Sequence, residues 1–218
     1  LGRALRGVRD RVFLASKVVP KNATYEGTIA ACERSCARMQ TDYLDLFMLH
    51  WPGRHPIGET MRALQELVRQ GKTRFVGVSN FDLDELREAR SHLHTVPLAC
   101  NQVLYHLNER GVEHRLIPYC KEQGIAMVAY TPFGRGKFKR RGDLPTLERV
   151  AAKHGASVRQ VILAFLTRDP IVFTIPKAAR VEHVESNAAA ADVHLDADDI
   201  AAIDAAYPRG EDGPLATL

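Results

Sequence analysis

Six short apolar runs, spaced roughly 25–45 residues apart, limit what this chain can fold into, because that spacing fits a strand, a helix and a return to the next parallel strand. The runs are residues 12–18, 44–50, 73–79, 98–104, 125–130 and 171–175. Each is rich in Val, Ile, Leu or Phe without strict alternation, as expected of strands covered on both faces. The segments between them carry helical periodicity and end signals. A helix is expected over 24–39, another over 59–70 ending at Gly71, and a third over 83–93 with Asp82 as its cap and Glu85 completing a capping box. Further helices are expected over 112–123 ending at Gly124, over 158–168 capped by Ser157, and over 182–191 and 196–206. No stretch rich in Pro, Gly or Ser divides the chain, so residues 1–218 read as a single domain.

The fold class is therefore α/β, built from repeated βα units of the kind that close into a (β/α)8 TIM barrel. Six strands are visible where a closed barrel needs eight, so the expectation is an incomplete barrel with two open sheet edges and self-association through them. A doubly wound sheet fits less well, because no Gly-rich fingerprint follows the first run, which continues as Lys17-Val18-Val19-Pro20.

Composition excludes several classes. Hydrophobic residues make up 45% and charged residues 26% of the 218, the balance of a globular chain. Lys and Arg number 30 against 26 Asp and Glu, and the charges are interleaved, so nothing in the balance points to nucleic acid. The exception is the basic run over 135–141, which reads either as a solvated loop or as a loop that attracts an anionic cofactor. No apolar run approaches the length needed to span a bilayer, and no signal-peptide core lies near Leu1, so no membrane partner and a cytoplasmic location are expected. Four cysteines contain no CxxC pair; Cys32 and Cys36 share a helix face and read as packed hydrophobes, and no metal site is expected.

In a (β/α) barrel the chemistry sits at the C-terminal ends of the strands. The polar residues there are Lys17, His50, Ser79, Asn80, Asn101, Gln102, Tyr130, Thr131 and Lys177. Taken alone, Lys17 is either a snorkelling lysine or a partly desolvated functional cation, and His50 is either a histidine satisfied by backbone or a donor to a carbonyl oxygen beside the apolar wall of Trp51.

The segments VFLASKV, LDLFMLHWP, FVGVSNF, NQVLYH, VAYTPFGRG and IPKAARVEHVESNAAA resemble, in order and spacing, the strand-end motifs of the aldo-keto reductases. That family consists of (β/α)8-barrel enzymes that transfer a hydride between NADPH and an aldehyde or ketone. The resemblance implies an oxidoreductase acting on a small-molecule carbonyl substrate. It makes Lys17 the active-site lysine, His50 the histidine that orients the carbonyl, and Trp51 a substrate-pocket wall. Ser79, Asn80 and Gln102 would hold the nicotinamide carboxamide, Tyr130 would stack on the nicotinamide ring, and Thr131, Phe133 and Gly134 would approach the pyrophosphate. Lys177, Ala178, Arg180 and His183 would meet the adenosine 2′-phosphate, and Asn187 the adenine.

Two departures bear on the cofactor. His183 stands where many NADPH-preferring members carry arginine, and Ser186 replaces an acidic residue before Asn187, so NADH is an alternative to NADPH. A third bears on catalysis: the family's catalytic tyrosine and its partner aspartate correspond to a stretch that would precede Leu1, and LGRAL reads as the end of the helix after them. Impaired turnover is therefore expected. The alternative is a non-catalytic NADP(H)-binding pseudo-enzyme or regulatory subunit. A Schiff-base aldolase using Lys17 would leave Ser79, Asn80 and Gln102 unexplained.

Overall fold

A computed structural model describes residues 1–135 and 144–218. The chain divides into two compact units, Leu1–Gln102 and Val103–Leu218. In the first unit, β1 (Ala15–Val18), β2 (Leu44–Leu49), β3 (Thr73–Ser79) and the start of β4 (Leu98–Leu104) pair in that order, every pair parallel. Helices α1 (Tyr25–Met39), α2 (Ile57–Arg69) and α3 (Leu83–Ser91) return the chain between them.

The helix boundaries follow local chemistry. Thr24 caps α1 by accepting from the Gly27 N–H, and Asp82 caps α3 in the expected capping box with Glu85. Beyond α2 the chain turns through Gly71 at φ 70°, which glycine adopts without steric cost. Cys32 and Cys36 are buried on one face of α1 as free thiols. Residues 2–5, expected to end a longer helix, form a single 3-10 turn instead.

The second unit holds β5 (Ala126–Tyr130) and β6 (Val172–Thr174), again parallel. Its helices are α4 (Leu116–Gln123), α5 (Leu144–Lys153), α6 (Val158–Leu166), α7 (Val181–Ala188) and α8 (Ala197–Ala206). Ser157 and Asp196 cap α6 and α8 in capping boxes with Gln160 and Asp199. Helix α5 was not foreseen from the sequence, although Leu147, Val150 and Ala151 bury one of its faces. Among the described residues no helix is long and apolar enough to cross a membrane.

The second unit also encloses charge. Arg110, 1% exposed, is held by Glu113 and Asp204 and donates to the Tyr207 carbonyl, while Arg168 and Tyr105 close on the same Glu113. Burial alone would raise the Glu113 pKa, but hydrogen bonds from Arg110 and Tyr105 outweigh it and bring it down to about 2. Asp199, buried beneath His154 and Lys153, is likewise brought to about 2 by their hydrogen bonds against the effect of burial.

Both folded-state values lie below the ordinary carboxylate range. Their stabilisation is therefore complete above that range and is lost as pH falls through it toward 2. Removing one partner of a buried ion pair costs roughly 3–5 kcal/mol. Urea unfolding should accordingly show Glu113→Gln less stable than the parent by about that amount at pH 7, with a smaller further loss on acidification; equal stabilities at pH 7 would contradict the assigned role.

Candidate active site

Strand register decides which side chains of the first unit face the same way. Lys17 lies opposite Met48, Met48 opposite Gly77, and Gly77 opposite Cys100, so one row crosses all four strands. The row one residue further along, Val18, Leu49, Val78 and Asn101, points to the opposite face, since successive side chains alternate. That face is the helix side: Ser16, on the same face as Val18, reaches Ser35 of α1. The next residues, His50, Ser79 and Gln102, return to the side of Lys17, and the register pairs Ser79 with Gln102.

A register shift between Val76 and Gly77 makes this arrangement. Without the extra residue in β4, Asn101 would stand opposite Ser79. With it, Gln102 does, which is how a bulge re-aims side chains. Gly77 leaves the row room to close, since a Cβ there would lie 2.7 Å from Cys100 Sγ and 3.0 Å from Met48 Cγ.

The side chains then meet. Lys17 Nζ donates to Gln102 Oε1. In a flat sheet β1 and β4 would lie roughly 14 Å apart, three strand spacings, so the four strands curl toward this face. Ser79 Oγ donates to the Gln102 carbonyl at 2.8 Å, and the Asn80 N–H donates to the same carbonyl at 2.8 Å. Asn80 Nδ2 donates to the His50 carbonyl at 3.2 Å, and the His50 N–H to Val18 O at 2.9 Å. Asn80 sits at φ 58°, a left-handed conformation that Asn tolerates better than most residues. Trp51 lies against the His50 ring, centroids 4.4 Å apart and tilted by 54°.

The electrostatics follow from half-burial. Desolvation lowers the Lys17 pKa from the usual lysine value. Desolvation, and after it the Lys17 charge, lowers that of His50, so its imidazole is neutral at pH 7 and keeps one N–H to donate. The Cys100 thiol beside Lys17 is pushed up to about 12 by burial and stays protonated.

The second unit gathers other predicted residues. Lys177, Ala178 and Asn187 line one cavity of about 520 Å³, with Thr174, Pro176, Val184 and Ala188, where the chain leaves β6 and enters α7. Arg180 is the N-cap of α7 without capping by its side chain, and Arg180 and His183 are exposed. Tyr130 ends β5, and Thr131 follows at φ 58°, a strained conformation for a β-branched residue. Phe133 packs beneath the Arg159 guanidinium, and Gly134 lies close to the His106 ring. Of the basic run only Arg135 is described; Lys137, Lys139, Arg140 and Arg141 lie outside the described residues.

Comparison with known proteins decides the lineage. The profile described as "Aldo/keto reductase family" matches residues 1–208. The chain belongs to the aldo/keto reductase family. It is 43% identical over 210 residues to methylglyoxal reductase YeaE of Escherichia coli strain K12, covering 95% of this chain and 74% of that protein. To glyoxal reductase of Bacillus subtilis strain 168 it is 39% identical, covering 94% and 72%. An aldo-keto reductase from Klebsiella pneumoniae, solved in complex with NADPH, superposes with a TM-score of 0.92 at 41% identity over all of this chain and 78% of that one.

In this aldo/keto reductase the first unit brings together Lys17, His50, Ser79, Asn80 and Gln102, all expected at strand ends from the sequence. Asn101, expected among the polar residues of that end of the barrel, instead faces the helix side fully buried, and Cys100, not singled out in the sequence, lies beside Lys17. The bulge in β4 resets the alternation, so the run alone does not say which of these residues faces which side. If the Lys17 charge acts on His50 as described, Lys17→Met should raise the His50 pKa part of the way toward the ordinary histidine value, burial retaining the rest. An NMR titration of the His50 ring would measure this, and an unmoved midpoint would contradict the coupling.

Proposed function

We propose that this chain binds NADPH and reduces the carbonyl group of a small aldehyde or ketone, with 2-oxoaldehydes the first substrates to try because two relatives are named for methylglyoxal and glyoxal. The observation that carries the reading is the single register row of His50, Ser79 and Gln102 above Lys17. The residues fit the cofactor's chemistry: hydroxyl and amide groups match a carboxamide, and the cavity holding Lys177 and Asn187 offers a cation to a phosphate and an amide to a base. NADPH, when bound, supplies the hydride. Tyr130 is assigned to the nicotinamide ring, Thr131, Phe133 and Gly134 to the pyrophosphate, and Arg180 and His183 with Lys177 to the 2′-phosphate.

The chain's own residues do the rest. Neutral His50 donates its N–H to the substrate oxygen and polarises the carbonyl, while Trp51 supplies an apolar wall. Lys17 places positive charge where negative charge develops on that oxygen. In the first unit the hydrogen bond from Lys17 goes to Gln102, Tyr43 stacks with Arg9 and Arg74, and Tyr25 lies under Arg62 of α2. No tyrosine hydroxyl of that unit therefore serves Lys17 as general acid. Losing such an acid costs typically ~10²–10⁴-fold, and slow turnover is the outcome this reading expects.

The Lys17–Gln102 pairing also favours a second reading, a protein that binds NADP(H) without turning it over. Titration of the chain with NADPH, followed by quenching of Trp51, and loss of NADPH absorbance on adding methylglyoxal separate the two. Binding with slow, substrate-dependent oxidation is expected. Binding without oxidation selects the second reading, and absence of binding overturns both.

Two further parts of the proposal concern the cell and the assembly. The four free, buried cysteines suit a cytoplasmic location. Among the described residues of the first unit β1 pairs only with β2, and Phe13 and Phe75 stack nearby while largely exposed, which favours self-association through that edge. Light scattering should show mass rising with concentration; a constant monomer mass would contradict it.

A further inference from the structure

We infer that Asn101 is a positioning residue for the nicotinamide end of the site, acting through the backbone of Phe81 on Asn80. The inference rests on the proposed NADPH binding. Asn101 is fully buried on the helix side of β4, one residue before Gln102, and points away from the face that carries Lys17, His50 and Gln102. Its amide nevertheless serves that face. Nδ2 donates to the Phe81 carbonyl at 2.8 Å, and Oδ1 accepts from the Phe81 N–H at 3.5 Å. One side chain thus pairs with both backbone groups of a single residue, as a neighbouring strand would.

The residue so held matters because of what precedes it. Phe81 follows Asn80, whose positive φ turns the chain sharply out of β3 toward the Asp82 cap of α3. In that turn the Asn80 N–H reaches the Gln102 carbonyl, and its side-chain amide reaches the His50 carbonyl and Ser79 Oγ. A left-handed non-glycine residue persists only where its surroundings hold it. Here the hold comes from both sides: Gln102 on the Asn80 side and Asn101 on the Phe81 side, consecutive residues of β4 facing opposite ways. The bulge that places Gln102 opposite Ser79 also sets Asn101 beneath Phe81. Truncating Asn101 removes both bonds and leaves buried backbone groups unpaired, which frees Asn80 to leave the turn.

Two ligands separate this from a general loss of structure: NADPH, and 2′-phospho-ADP-ribose, which lacks the nicotinamide. For Asn101→Ala, calorimetric titration should show NADPH binding weakened by about tenfold, the effect of a lost buried hydrogen bond, with 2′-phospho-ADP-ribose binding unchanged. In an Asn80→Ala background the same substitution should add little, because residues acting through one another are not additive. If Asn101→Ala fails to fold, Asn101→Ser carries the same comparison. Equal weakening of both ligands, or full additivity with Asn80→Ala, would overturn the inference. Failure of the parent chain to bind either ligand would overturn the proposed function and the inference with it.

Discussion

The parallel register of the first four strands, with one extra residue in β4, is the constraint on which the candidate site depends. Pairing fixes which residues share a face, and a shift of one residue would exchange the two faces of a strand. Because Lys17, Met48, Gly77 and Cys100 form one row, the next inward positions fall at His50, Ser79 and Gln102. A hydrophobic run ending in a polar residue is ordinary. Successive runs whose polar ends are brought to one face by backbone pairing make a candidate site.

Electrostatics on that face share one origin. Half-burial disfavours charge on both Lys17 and His50, and the lysine's remaining charge disfavours it further on the histidine. The result is a neutral imidazole beside a cation, a pair suited to an oxygen that gains negative charge during reduction. The second unit uses charge differently. Its Arg110, Glu113, Asp204 and Arg168 saturate one another inside the fold, and two of its exposed cations, Lys177 and Arg180, stand where the chain leaves β6 and enters α7.

Much of this was legible in the sequence, for identifiable reasons. The strands over 73–79 and 98–104 appear with the expected bounds. Residues 12–14 were expected in the first strand, but pairing starts only at Ala15. The capping box at Asp82 and the cap at Ser157 were readable because they are local chemistry, whereas Asp196, read as the first residue of its helix, is the cap itself. Helix α5 was not read from the sequence, although Leu147, Val150 and Ala151 recur at helical spacing within it. The distinction between Asn101 and Gln102 depends on a bulge, which is a property of two strands together and leaves no local signature in either.

The crystal structure of this chain with NADPH bound tests the central claim most directly. The account predicts the nicotinamide carboxamide within hydrogen-bonding distance of Ser79, Asn80 and Gln102, with the His50 ring open to a substrate oxygen on the same face. A nicotinamide ordered anywhere else, or those side chains turned away from it, would contradict the account.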